Sequence, residues 1–289
     1  MATPVAEGRA LTRTRTRLGR KVNKKSERRA FIIGGAIVGA YILAALLAPV
    51  IAPFDPNKQD LFNALQAPGG EHLLGTDSVG RDTFSRLIYA GRVDLPVAVI
   101  AALLPFIIGT VIGSVAGYAG GVGDSILMRI ADSVQAFPIY VLLLVLVFAF
   151  GQGATSFILA ATLVSWVAYA RLIRGEIIRA KQLPYVMAAK TAGLPHSRII
   201  VRHILPNTIG RSIVYAMSDI VLLILALASL SFLGVGIPAP TAEWGRMIAE
   251  SQIYLRSHWW LLVAPGLAIV VLGIGLSFLG DALDQRTRR

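Results

Sequence analysis

The placement of charge constrains this chain more than any motif. Residues 30–54, 95–123, 133–170 and 257–280 contain no Asp, Glu, Lys or Arg, in runs of 25, 29, 38 and 24 residues. Residues 212–242 hold one charge, Asp219, in 31 residues. A membrane-crossing helix needs about 20 apolar residues. Lipid offers no partner to an unpaired backbone N–H or C=O, so such runs have to be helical. The expectation is an all-α, polytopic membrane protein. The 38-residue run is too long for one crossing, and Gly151, Gln152 and Gly153 interrupt it with a turn signal. It reads as a tight hairpin of spans over 133–150 and 154–170, which brings the count to six transmembrane helices. Composition agrees. Hydrophobic residues make up 55% of the chain and charged residues 15%, against about 25% charge in a soluble domain.

Basic residues set the expected orientation. Alternate non-membrane segments hold 22 and 6 of the 28 Lys and Arg. That split puts both termini and the loop 171–211 in the cytoplasm. The expected organisation is a basic cytoplasmic tail (1–29), a first transmembrane helix (30–54) and an extracytoplasmic segment (55–94). A five-helix core (95–280) containing the loop 171–211 follows, then a C-terminal cytoplasmic tail (281–289). The net charge of +12 is then a topology signal, and no nucleic-acid partner is expected. The first apolar run exceeds the roughly 7–15 residues of a signal-peptide core, so it reads as a retained anchor.

Within the second span, Gly109, Gly113, Gly117 and Gly121 recur every four residues. This pattern brings a second helix close. The loop 171–211 carries eight basic residues and one acid, Glu176. Its middle predicts a short helix with a small face at Ala188, Ala189 and Ala192, ended by Gly193. Pro195 enforces a turn, and a second helix carries an apolar stripe at Ile199, Ile200, His203 and Ile204 before Pro206 breaks it. Asp219 is the one acid deep in a span. It sits about two turns from Arg211 and reads as snorkelling or locally paired. Asp77, Arg81, Asp82, Arg86 and Arg92 read as a solvated, self-paired helix with Asp82 and Arg86 one turn apart. Trp244, Tyr254, Trp259 and Trp260 read as an interfacial belt. The four histidines lack metal-site spacing, and there is no cysteine. No G-x-x-x-x-G-K-[ST] phosphate loop occurs.

These residues carry a resemblance. Ala188-Ala189, Gly193 and Ile204-Leu205-Pro206 resemble the EAA loop of bacterial ABC importer permeases. Met187 stands where that motif's name-giving Glu would be, which removes a salt-bridging carboxylate and leaves the docking expectation in place. Residues 72–92, 117–138 and 228–248 are similar to segments of dipeptide, oligopeptide and nickel importer permeases, in the same order. The match is to the second, C-type permease, with its short external segment. The resemblance implies a type I importer fold in a bacterial inner membrane. It also implies a coupling helix that includes Tyr185, Ala188, Ala189, Lys190, Gly193, Leu194 and Pro206. The functional reading of Asp77, Arg81, Asp82 and Arg86 is a contact surface for an extracytoplasmic substrate-binding protein or a lining of the substrate entrance. The implied partners are a second homologous permease and two ATPase subunits or domains, which would bind the ATP and Mg. This chain itself would bind no cofactor or metal and catalyse nothing. The cargo would be a di- or oligopeptide or a related small solute. The alternative is a single-chain secondary transporter driven by an ion gradient, which needs a midplane coupling site.

Overall fold

A computed structural model describes residues 24–287, with side chains over 28–285. Most of the basic N-terminal residues, Arg9 to Lys21 among them, lie outside that range. Among the described residues there are helices and connecting segments, and the one strand-type pairing is an isolated bridge between Thr76 and Asp82. Helix α1 spans Lys24–Leu46 and is followed by the short α2, Ala48–Ile51. The anchor helix thus starts earlier than the apolar run and stops before its two prolines, because Pro cannot continue an unbroken ladder. After an irregular segment, α3 runs 37 residues, Thr83–Ala119, through Pro96 and Pro105. Next come α4, Gly121–Gln135, α5, Ile139–Phe150, and α6, Ala154–Ala180. The elbow holds α7, Pro184–Thr191, α8, His196–Arg198, and α9, Leu205–Thr208. Helix α10, Gly210–Phe232, the short α11, Trp244–Ser251, and α12, Trp260–Thr287, complete the chain.

Five of these helices are long and apolar enough to cross a membrane: α1, α3, α6, α10 and α12. A sixth crossing exists only if α4 and α5, bent by 87° at Ala136–Pro138, count as one broken span. The expected hairpin is therefore corrected in its first arm. The turn does fall at 151–153, between Phe150 and Ala154. However, α5 is 12 residues, about 18 Å, short of the roughly 30 Å apolar thickness. Helix α4 instead carries Asp124, Arg129 and Asp132, which keep it out of a purely apolar path.

Helices α3 and α6 form the central seam. A Cβ on Gly109 would lie 2.5 Å from the Trp166 carbonyl oxygen, one on Gly113 would lie 2.3 Å from that of Ala170, and one on Gly117 would lie 2.8 Å from that of Arg174. Three of the four predicted glycines are thus contact points between backbones. Gly121 is not one. It lies beyond the end of α3, with open space at its Cβ position and a φ of +69° that starts α4. In α1 the close approach is made by Gly34 against Gly275 of α12, not by Gly35 or Gly39.

Candidate functional site

Three features stand out: an elbow at one end of α3, a buried charge cluster at the other, and a cleft between α4, α5, α6 and α10.

The elbow is built on apolar support. Val186 and Ala189 of α7 pack with Ile173, Ile177 and Ala180 of α6 and with Ile199 and Ile204. Val186, Ile173, Ile177, Ile199 and Ile204 are fully buried. Pro184 starts α7, where a missing N–H costs nothing. Its end is a complete Schellman motif. Leu194 N–H donates to the Ala189 carbonyl at 3.2 Å, and Gly193 N–H donates to that of Lys190 at 3.0 Å. Gly193 has φ +74°, which a side chain would strain. Leu194 packs back onto the apolar cluster. Tyr185, Ala188 and Ala192 share the outward, exposed face. Ala189 does not belong to that face; it is turned inward. The second helical piece is wound as a π segment over Ile199–Ile204, and Leu205 N–H reaches the Ile200 carbonyl. That wider turn precedes Pro206, whose ring sits in the first turn of α9. Pro206 is thus absorbed rather than ending the helix. The elbow is also tied to the end of α3. Tyr118 Oη and His196 Nδ1 are 2.9 Å apart, Lys190 Nζ lies 5.3 Å above the Tyr118 ring, and Lys181 Nζ donates to the Gly117 carbonyl at 3.1 Å. Arg174 forks onto both Asp124 oxygens at 2.5 and 2.6 Å, and Arg171 pairs with Asp132, which fixes α4 to α6.

At the far end of α3 the expected solvated helix is overturned. Asp77, Arg81, Asp82 and Arg86 are all buried. Asp77 and Arg81 sit in a turn before α3, and Asp82 is its N-cap, accepting from Ser85 N–H at 2.7 Å. Asp82 does not pair with Arg86. Its other oxygen lies 2.9 Å from His72 Nδ1. Arg81 donates from Nε to Asp77 at 2.6 Å and from Nη2 to Glu250 at 2.7 Å. Arg86 lies 3.6 Å from both carboxylates and donates to the Pro56 carbonyl at 3.1 Å. Arg246 completes the set with a 2.9 Å bond to Glu250. The cause is tertiary, because α11 brings Glu250 and Arg246 in from the end of the chain.

Helix α11 is itself held by groups that local sequence does not single out. Glu243 caps it, accepting from Gly245 and Arg246 N–H at 2.7 Å each. Burial pushes the Glu243 carboxyl above its ordinary range, against the pull of those two donors. Asp94 of α3 accepts from Trp244 N–H at 3.0 Å, and the Trp244 indole donates to the Leu87 carbonyl at 3.0 Å. Trp244 is 2% exposed, so it is a core residue and not part of an interfacial belt. Trp259, at 56% exposed, suits the belt.

The cleft has a volume of about 560 Å³ and is lined by Tyr140, Leu143, Ser165, Tyr215, Asp219 and Leu222, among others. Asp219 does not reach Arg211, which bonds Glu176 at 2.5 Å. Instead Tyr169 Oη donates to Asp219 Oδ2 at 2.8 Å, and the Tyr169 and Tyr215 rings meet edge to face at 4.9 Å. Asp219 lies nine residues into the 23-residue α10, about 13 Å along a helix of about 34 Å. That is a little over a third of the way along α10.

Comparison with known proteins follows the same geography. Residues 109–289, which include the seam glycines, the elbow, the cleft and α11, match the family described as the binding-protein-dependent transport system inner membrane component. Residues 26–68 match the N-terminal TM domain of oligopeptide transport permease C. The chain is 40% identical to the dipeptide transport system permease protein DppC of Bacillus subtilis (strain 168), over 80% of this chain and 74% of that protein. It is 40% identical to the nickel transport system permease protein NikC of Escherichia coli (strain K12), over 80% and 83%. It is 35% identical to the oligopeptide transport system permease protein OppC of Bacillus subtilis (strain 168), over 82% and 79%.

Proposed function

Since the chain belongs to the family of binding-protein-dependent transport system inner membrane components, we propose that it is one permease subunit of an ATP-driven importer in a bacterial inner membrane, and that it lines half of the route for a short peptide or a related small solute. The match of residues 109–289 to that family carries this reading, and the relatives named for dipeptide, oligopeptide and nickel transport narrow the cargo. A second homologous permease supplies the other half. A receptor outside the cell delivers cargo, and two ATPase subunits in the cytoplasm bind ATP and Mg. Both termini and the elbow face the cytoplasm, in line with the 22-to-6 division of basic residues.

The geometry fits a push from below. A helix whose outer face carries Ala188 and Ala192 seats closely in a groove at those two positions, with Tyr185 projecting beside them. The apolar floor beneath α7 and the Schellman end behind it keep that helix from yielding when the motor closes. The contacts through Tyr118, His196 and Lys190 pass displacement to the end of α3. Asp219, buried within α10, suits the ion-driven alternative, but the family match and the elbow favour the importer.

The test is Gly193→Val. At φ +74° a β-branched residue is strained by about 1–3 kcal/mol, and the end of α7 unwinds locally. The reconstituted assembly is expected to keep hydrolysing ATP while ATP-dependent uptake falls at least about tenfold, the equivalent of some 1.4 kcal/mol of lost coupling. Unchanged uptake by a correctly inserted variant would sink the coupling role.

A further inference from the structure

The cleft holds a carboxylate with no cation to answer it. Asp219 is 5% exposed and lines the cavity. Its single hydrogen bond among the described residues comes from Tyr169, and Arg211 is engaged by Glu176. An ionised carboxylate taken out of water is costly unless a positive group compensates it. The cleft offers no second acid and no histidine among its lining residues. Among the described residues no group of three or more His, Cys, Asp or Glu gathers anywhere to hold a metal ion. A divalent cation takes several oxygen ligands and would be badly served here. An ammonium would not, since it needs one carboxylate and gains further from aromatic faces. Tyr140 and Tyr215 line the same cavity.

We propose that this cleft is a cargo subsite in which Asp219 receives a protonated amine, such as the free amino group of a short peptide, with Tyr215 and Tyr140 as its aromatic walls. This rests on the importer reading. Tyr169 acts through Asp219 as a positioning residue, since its hydroxyl fixes the carboxylate while its ring is held against Tyr215. The remaining lining is mostly apolar, Leu143, Leu222 and Leu223 included, with Gln135 and Ser165 as its polar members. The subsite therefore reads one charge, with Gln135 and Ser165 left to meet polar groups elsewhere on the cargo.

The chain has no cysteine, so a single thiol reports cleanly. Leu222 is one turn from Asp219 and half-exposed in the cleft. Leu222→Cys would be placed in the full assembly in proteoliposomes. Labelling rates would be compared for a trimethylammonioethyl and a sulfonatoethyl methanethiosulfonate. The cationic-to-anionic rate ratio is expected to be at least about tenfold higher with Asp219 than with Asp219→Asn, given the reach of a unit charge in a poorly screened cavity. Asp219→Glu should restore it. Phenethylammonium should slow labelling severalfold, N-acetylphenethylamine should not, and Asp219→Asn should abolish the difference. An unchanged charge ratio in Asp219→Asn, or a Leu222→Cys that is never labelled, overturns the subsite. If selectivity persists while Mg-ATP leaves labelling unaltered in every preparation, the importer reading fails and the ammonium site stands.

Discussion

The two ends of α3 are made by different physics. Around its first turns, two carboxylates and three guanidinium groups interlock across more than 160 positions of sequence: Asp77 and Glu250 with Arg81, Arg86 and Arg246. Of these, Asp77, Arg81 and Arg86 are buried and Glu250 and Arg246 partly so. Around its last turn, five aliphatic side chains, Ile173, Ile177, Ala180, Ile199 and Ile204, pack beneath α7, whose outer face carries Ala188 and Ala192 beside Tyr185. Ionic geometry at short range tolerates little displacement, so the first end is a fixed clasp. Dispersion contacts under a short helix hold it stiff and leave its outer face free for a visitor. The contrast teaches that paired charge fixes one end of α3, while at the other end apolar support leaves a helix face open, the reverse of what solvated charged loops suggest.

The largest expected effect tests the clasp. Arg81→Met should cost about 3–4 kcal/mol, because it takes the closest cation from buried Asp77 and leaves that carboxylate to Arg86 at 3.6 Å, and it would be read as a lower unfolding temperature of the purified assembly. A loss under 1 kcal/mol would mean that the cluster is wetter than its burial implies. Next, Ile177→Ala removes a fully buried side chain beneath α7 and should cost about 3 kcal/mol. Transport should fall further than stability alone explains, a comparison made by measuring uptake well below the transition. Equal losses in both would erase the distinction between support and coupling. Smallest in stability is Ala188→Trp on the exposed face, expected within about 0.5 kcal/mol of the parent. It should nonetheless abolish co-purification of the ATPase subunits. Retained ATPase subunits would show that the motor grips elsewhere.

Much of this was legible in the sequence, because membrane insertion and turn chemistry are local. The charge-free runs located the long helices, Gly193 marked the end of α7, and Gly109, Gly113 and Gly117 marked a seam. What escaped was non-local. Nothing near Asp77 or Arg81 foretells Glu250, which arrives 169 residues later, so a cluster that pairs across the fold reads as one that pairs with itself. Trp244 reads as a membrane-surface aromatic by its neighbours in sequence, yet its indole is bonded to the Leu87 carbonyl. Asp219 was placed near Arg211 by helical arithmetic along α10. Tyr169 decided the matter from a neighbouring helix, a direction that periodicity does not see. The 87° bend between α4 and α5 escaped because an uncharged run reports what lipid tolerates, not whether the chain runs straight.

The glycine seam has a mechanical result. With backbone against backbone at Gly109, Gly113 and Gly117, α3 and α6 have no slack in which to slide past each other. They form one strut about 55 Å long on the α3 side, with the elbow at its foot and the clasp at its head. On the proposed importer reading, torque delivered at the elbow would be spent at the joints around that strut, against α10 and the bent α4–α5 pair, whose walls enclose the void beside Asp219.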